Sequence, residues 1–459
     1  MRTQLAFLMA LCLLAVDIGS LWAQTLTEPQ DAKREHRRKG VSFTVELQNL
    51  FLMRSDSDFD GSEYSFNEEG QEVGAFATVL KPGFTWHLTK HLRVYYEAEL
   101  GLSYWSMQDP DQRDPLATDI FMMKHRELWG SGESGDDVGY KIGYGRFKDP
   151  TGLFLNHWIG TAQFWVGMDS ENRVGIFMGQ LPDSTHEGID VTDNNFVRDI
   201  WVYGARWDTV IAHGWSGSAA FHALYDSHLS GQERWLIVPS LHVEAGEDDL
   251  FLSIDAMLQH GQAEGQTPDG RIQTLLAWAG QSHLRWDITD HFKLWPSKLD
   301  LNLLVLSADD AHPDNDMNYA FAASGKNNSA TLMLTEDEIR DWYDNYDEGF
   351  SSYQGGFFTN RAGLFVADLK ATWKVEEDLD VSLVLASANV LKPSNALDNT
   401  FLGFEMDLMA TARFHDMAWV QLAFGCLIPG AAAAALTNNI DLSATEPVLM
   451  GEISVLMKY

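Results

Sequence analysis

Three aspartates, Asp56, Asp58 and Asp60, followed by Gly61, repeat the spacing that opens a calcium-binding loop. Alternate carboxylates supply hard oxygen ligands, and the glycine permits the sharp turn that such a loop needs. The twelfth position is Asn67, with Glu68 and Glu69 beside it, so the bidentate glutamate that completes a site is missing. A solvated acidic loop is the favoured reading, and Ca2+ is the one cofactor these residues suggest. No nucleophile elbow, zinc-ligand spacing or phosphate loop occurs. A hydrolase would need a serine, a histidine and an acid or amide converging on one face. His87, His242 and His283 fall instead in turns or on the charged face of alternating segments, and no enzyme is expected.

Charged residues recur at a spacing of two. Arg93, Glu97 and Glu99 alternate with Leu92, Val94, Tyr96, Ala98 and Leu100. Asp368 and Lys370 oppose Phe365, Ala367, Leu369 and Ala371, while Glu405, Asp407 and Arg413 oppose Phe404, Met406, Leu408 and Ala412. Arg206, Asp208, Asp255 and Arg285 take the same parity in their own segments. Successive side chains of a strand point to opposite faces, so each segment has one charged and one apolar face. One such strand would mean a half-buried sheet. Repeated along a chain, the pattern fits a wet lumen inside and lipid outside, with these residues lining the pore.

The elements that must position them are antiparallel strands closed into a barrel. Short turns are expected at Thr89–His91, Asp169–Arg173, Ala212–Gly214, Ala245–Asp249, Thr289–His291, Glu376–Asp378 and His415–Met417. Seven hairpins, a first strand at Val41–Arg54 and a terminal one at Pro447–Tyr459 give 16 strands. Asp137–Phe147 (DVGYKIGYGRF) fits no parity cleanly, and as a further strand it would allow 18. The terminal segment carries Leu449, Ile453, Val455, Met457 and Tyr459 on one face and Glu452, Ser454 and Lys458 on the other. A chain ending on such an aromatic strand is expected to pair it with the first, leaving no strand edge in lipid. The sequence predicts an all-β transmembrane antiparallel barrel of 16–18 strands, residues 41–459, with long acidic external loops.

The loops expected are Ser55–Glu72, Ser106–Asp137 and Asp309–Glu348, the last with eleven acids against Lys326 and Arg340. Within it, Thr335 and Glu338 form a capping pair that could start a short helix. At the other end of the chain, Arg2 and the apolar run Leu5–Val16 precede small residues around Ala23, which reads as a secretory signal peptide over 1–23. Residues 24–40 hold the basic run KREHRRK and are expected as a solvated periplasmic arm. Cys426 is the only cysteine after the signal, so no internal disulfide is available. A formal charge of −34 excludes a nucleic-acid partner, which needs a basic footprint.

Phe401–Gly430 (FLGFEMDLMATARFHDMAWVQLAFGCLIPG) resembles the C-terminal signature of the alginate export porin family. Arg173–Asp226 is similar to a second segment of that family, through RVGIFMGQLPDS and WVYGARWD. The resemblance implies a monomeric outer-membrane barrel of 16 to 18 strands with a polar pore. It departs at Gln180, which follows Gly179 where the family pattern has an arginine, and the expected lumen is mixed rather than arginine-rich. Its acids are Glu97, Glu99, Asp208, Asp255, Asp300, Asp368, Glu405, Asp407 and Glu452, against Arg93, Arg206, Arg285, Lys370, Lys374, Arg413 and Lys458. The family's anionic substrate is therefore not carried over.

These readings lead to a pore in the outer membrane of a Gram-negative bacterium, passing hydrophilic solutes or polysaccharide without strong anion selectivity. Its expected partners are outer-membrane lipid and lipopolysaccharide, the barrel assembly machinery and periplasmic export proteins. The alternative is a structural barrel, the scaffold of an export, adhesion or electron-transfer assembly, which the long acidic loops would serve.

Overall fold

Period-two alternation requires a sheet that meets two different surroundings. The computed structural model of the chain describes residues 40–55, 72–89, 91–102, 122–134, 138–169, 171–181, 200–226, 234–247, 249–264, 272–288, 295–309, 317–319, 321, 330–334, 363–392, 399–414, 417–433 and 447–459. The expected signal peptide and the basic arm up to residue 39 lie outside these, as do Asp56, Asp58 and Asp60 and the capping pair Thr335 and Glu338, while Gly40 already belongs to the first strand.

The strands are β1 (Gly40–Ser55), β2 (Glu72–His87), β3 (Leu92–Leu102), β4 (Met122–Ser134), β5 (Val138–Lys148), β6 (Asn156–Gly167), β7 (Asn172–Leu181), β8 (Ile200–Ala212), β9 (Trp215–Asp226) and β10 (Arg234–Glu247). They continue as β11 (Leu250–Glu264), β12 (Ile272–Asp287), β13 (Lys298–Leu306), β14 (Met317–Asn318), β15 (Leu364–Glu376), β16 (Leu379–Asn389), β17 (Phe401–Phe414), β18 (Ala418–Pro429) and β19 (Val448–Lys458). The two-residue β14 lies parallel to Thr274 and Leu275 of β12, and β13 pairs directly with β15. Of the 19 strands, the other eighteen form a closed antiparallel ring. Closure comes from β19 on β1, with Phe51 opposite Ile453 and Asn49 opposite Val455. The shortest ring strand, β13, has 9 residues, enough to cross a bilayer when tilted by about 45°.

The outer face is apolar, and its aromatic residues form two rows. Trp86, Trp207, Trp215, Trp286, Phe414 and Tyr459 are exposed at the short-turn end, and Tyr203, Tyr225, Trp235 and Phe401 at the other. Between the rows lie exposed aliphatic residues such as Ile176, Leu241, Ile254, Leu369 and Leu408. An apolar band flanked by aromatic girdles is the surface a bilayer requires.

Two expectations are corrected and one open alternative is settled. Ser106–Asp137 is not one long loop, because Met122–Ser134 forms β4. Its alternation is hidden by a bulge: Glu97 faces Glu127 but Ala98 faces His125, leaving Arg126 as the extra residue. Asp137–Phe147 belongs almost wholly to β5, which settles the ring at eighteen strands. It lacks clear parity because its inward row is Gly139, Lys141, Gly143 and Gly145, and rings from neighbouring strands occupy the space. A Cβ on Gly139 would stand 2.4 Å from the Trp165 ring, and Gly143 has φ of +141°. The connection after β12 is also longer than Thr289–His291, since β13 resumes only at Lys298.

Candidate functional site

The inner wall divides into two zones. Nearest the short turns it carries charge, and nearly every charge described there has a partner. On β1 and β2, Lys81 Nζ lies 3.1 Å from Glu46 Oε1 and donates to Gln48 Oε1 at 2.7 Å, while Lys458 Nζ reaches Glu46 Oε2 at 2.9 Å. Arg126, released from alternation by its bulge, bridges Glu97 (3.4 Å) and Glu99. The Tyr95 hydroxyl donates to Glu97 at 2.6 Å, and Arg93 Nε donates to Ser131 Oγ at 2.9 Å.

Across the ring the same pairing recurs. Arg206 Nε donates to Asp208 (2.5 Å), and the Ser218 hydroxyl donates to the same oxygen. Asp255 accepts Gln281 Nε2 at 2.8 Å and meets His242 Nδ1 at 2.6 Å. Asp300 gathers His283 (2.9 Å), Arg285 (3.0 Å) and Lys298 (3.6 Å), and stands opposite Lys370. Asn302 donates to Asp368 at 2.8 Å, and Arg413 to Asp380 at 2.8 Å. The pore candidates read from alternation thus stand on the inner face: Glu97, Glu99, Arg206, Asp208, Asp255, Arg285 and Arg413 as members of acid–base pairs, Arg93 and Asp368 bonded to the neutral Ser131 and Asn302, and Lys370 opposite Asp300. Neither sign is left in a continuous row to attract counter-charge along the wall.

The second zone lies toward the long loops and was not legible in the sequence. Here the inner wall is aliphatic: Val202, Leu236, Val238, Met257, Leu275, Leu304, Leu306, Val366, Val384, Leu427 and Met450 are all buried in one contiguous cluster. Two loop segments fold inward to cover it. The first, residues 149–155 between β5 and β6, presents Leu153, Phe154 and Leu155, each with 0% exposure. Its backbone is tied by Asp149, which accepts the N–H groups of Thr151 and Leu155 (both 3.0 Å), and Gln281 Nε2 donates to the Thr151 carbonyl at 2.9 Å. Gly152 adopts φ of +73°, which a side chain would resist. The Phe154 and Phe177 rings each lie 5.5 Å from the buried His222 ring.

The second inward segment, residues 330–334, sits against β17. Leu332, Met333 and Leu334 are buried in the same cluster. Glu405 and Asp407, expected to line water, lie beneath this segment with 0% exposure and accept its backbone N–H groups. Sequence reasoning also missed Lys81, Arg126 and Gln281 as inner-wall groups. Lys81 was open to discovery, because Val79, Lys81 and Gly83 keep the spacing of two.

At the short turns the chemistry is local. The N–H groups of Glu171 and Asn172 and the Asn172 amide converge on Asp169 at 2.8, 2.7 and 2.9 Å. The Glu171 N–H above all, with Asn172, holds this exposed carboxyl below its ordinary value.

Solved structures with this architecture exist. The chain resembles Pseudomonas aeruginosa OccK9 (OpdG) with a TM-score of 0.56 at 11% identity, over 91% of this chain and 98% of that one. It resembles the outer membrane protein OpdK from the same organism with a TM-score of 0.51 at 8% identity, over 92% and 99%. The OpdK structure with vanillate matches with a TM-score of 0.53 at 10% identity, over 91% and 98%. At such identities the likeness is one of fold: a closed antiparallel barrel of the outer-membrane type, covered along nearly its whole length. No protein-family model matches the chain. No curated protein matches it in sequence.

Proposed function

We propose that the protein is a porin-like channel of a Gram-negative outer membrane, passing small or extended hydrophilic solutes without strong anion selectivity. The observation that carries this reading is a lipid-facing barrel whose lower inner wall is a ring of paired acids and bases. Paired charges keep the wall wettable while leaving no net row of one sign, so selectivity is weak or cationic. Vanillate, which OpdK holds in its crystal, is an anion, and nothing in this wall recommends carrying it over. The narrower kinship with alginate export porins rests on Phe401–Gly430 and Arg173–Asp226 alone, and its polyuronate substrate is not part of the proposal. Single-channel recording in planar bilayers tests the reading. Conductance with weak cation preference is the expected result; strong anion selectivity, or a folded barrel that never conducts, overturns it.

A second reading is favoured by one specific observation, the aliphatic packing of segments 149–155 and 330–334 inside the barrel. A plugged barrel would serve as the scaffold of an export, adhesion or electron-transfer assembly. Co-purification of a stoichiometric periplasmic or surface partner with a non-conducting barrel would establish it over the pore.

A further inference from the structure

Three consecutive backbone N–H groups converge on one side chain inside the barrel. Glu405 Oε1 accepts Leu332 N–H at 2.7 Å and Met333 N–H at 2.8 Å, and Oε2 accepts Leu334 N–H at 2.6 Å. Asp407 adds a longer bond from Leu332 N–H, at 3.2 Å. The two partners are far apart in the chain, 71 to 73 residues for the Glu405 bonds. Successive N–H groups aimed at one carboxylate form a concave anion seat, here filled by the protein's own side chain.

The aliphatic side chains alone do not explain this placement. Drawing residues 332–334 into a dry interior buries their N–H groups too, and buried donors without acceptors oppose such a move. Glu405 supplies the acceptors. The wall is also shaped for the segment at Gly425 on β18, where a Cβ would stand 2.6 Å from Asp407 Oδ1 and 2.9 Å from Met333 Cε. A carboxylate clasp and a glycine recess thus meet on the same five residues.

We propose that Glu405 is a positioning residue: it clasps Ala330–Leu334 inside the barrel and so sets how far the passage is narrowed on the β17–β18 side. The clasp rests on the pore reading only for its effect on conduction; the position of the strap is a separate question with its own readout. In a C426S background, Met333, which is 2% exposed, is replaced by cysteine, and its reaction with a water-soluble maleimide is followed in the folded barrel. Single-channel conductance is recorded on the same variants.

E405Q keeps the shape of the side chain but loses the charge that three donors share. It is expected to speed labelling at 333 by about tenfold or more, the factor for losing one charge-assisted hydrogen bond, and to enlarge conductance. Leu334→Pro removes the N–H that bonds Oε2. It lies outside the barrel strands, so it reports on the clasp even where E405Q does not assemble, and it should act in the same direction. Unchanged labelling in a folded, conducting E405Q or Leu334→Pro barrel overturns the clasp and leaves the pore reading intact. Faster labelling without conductance in any variant keeps the clasp and overturns the pore.

Discussion

Replacing Leu369 with arginine tests the assignment of inside and outside most directly. Leu369 lies in the middle of β15, 41% exposed on the outer face, directly opposite Leu301 and Leu385, each 37% exposed. Its neighbour Lys370 faces inward toward Asp300. Lipid chains are as apolar as leucine, so exchanging leucine–leucine contacts for lipid contacts accounts for little of the effect. The cost is that of holding a guanidinium near the bilayer middle, roughly 2–4 kcal/mol, or about 30- to 900-fold in the folded-to-unfolded ratio. Urea titration of the barrel folded into phospholipid vesicles reads this quantity, and heat-modifiable migration confirms that a barrel has formed. Lys370→Gln, one residue away, should fold like the parent and change only ion selectivity. Equal penalties for the two variants, or no penalty for Leu369→Arg, would refute the assignment of faces on which the membrane reading depends.

Other outcomes follow from the same structure. Deleting Val448–Lys458 removes the partner of both β1 and β18, so no heat-modifiable barrel should form; a folded truncated product would mean that β19 is not the closing strand. Gly152→Val forces a branched side chain into φ of +73° with its Cβ 2.2 Å from Lys148 Cε; at roughly 1–2 kcal/mol for the left-handed backbone, segment 149–155 should loosen and single-channel conductance rise while the barrel still folds. Asp169→Ala deletes the acceptor at the β6–β7 turn. The folded carboxyl of Asp169 lies below its unfolded value, so the wild-type advantage is complete above the unfolded value and disappears as pH falls through the folded one. Urea midpoints of the two proteins should therefore differ at neutral pH and converge in strong acid.

Much of this barrel could be read from residue order because each strand has lipid on one side and the interior on the other. Phe404 to Phe414 and Leu449 to Tyr459 keep their parity in space, and the pairing of the last strand with the first follows from the need to leave no edge in lipid. Parity fails where a strand departs from regular pleating. The bulge at Arg126 puts an extra residue between partners, and the glycines of β5 give up side chains to make room for Trp165 and Trp129. Periodicity also cannot say what an inward residue meets. Glu405 and Asp368 have the same parity and charge, yet one is capped by backbone N–H groups of a distant loop and the other accepts from Asn302 across a strand pair. Along regularly pleated strands such as β17 and β19, the residues alone determined which side chains face in. Only the tertiary structure decided which of them face water, because that depends on loops that return to the lumen from far along the chain, and their return is governed by buried hydrogen bonding that no local pattern encodes.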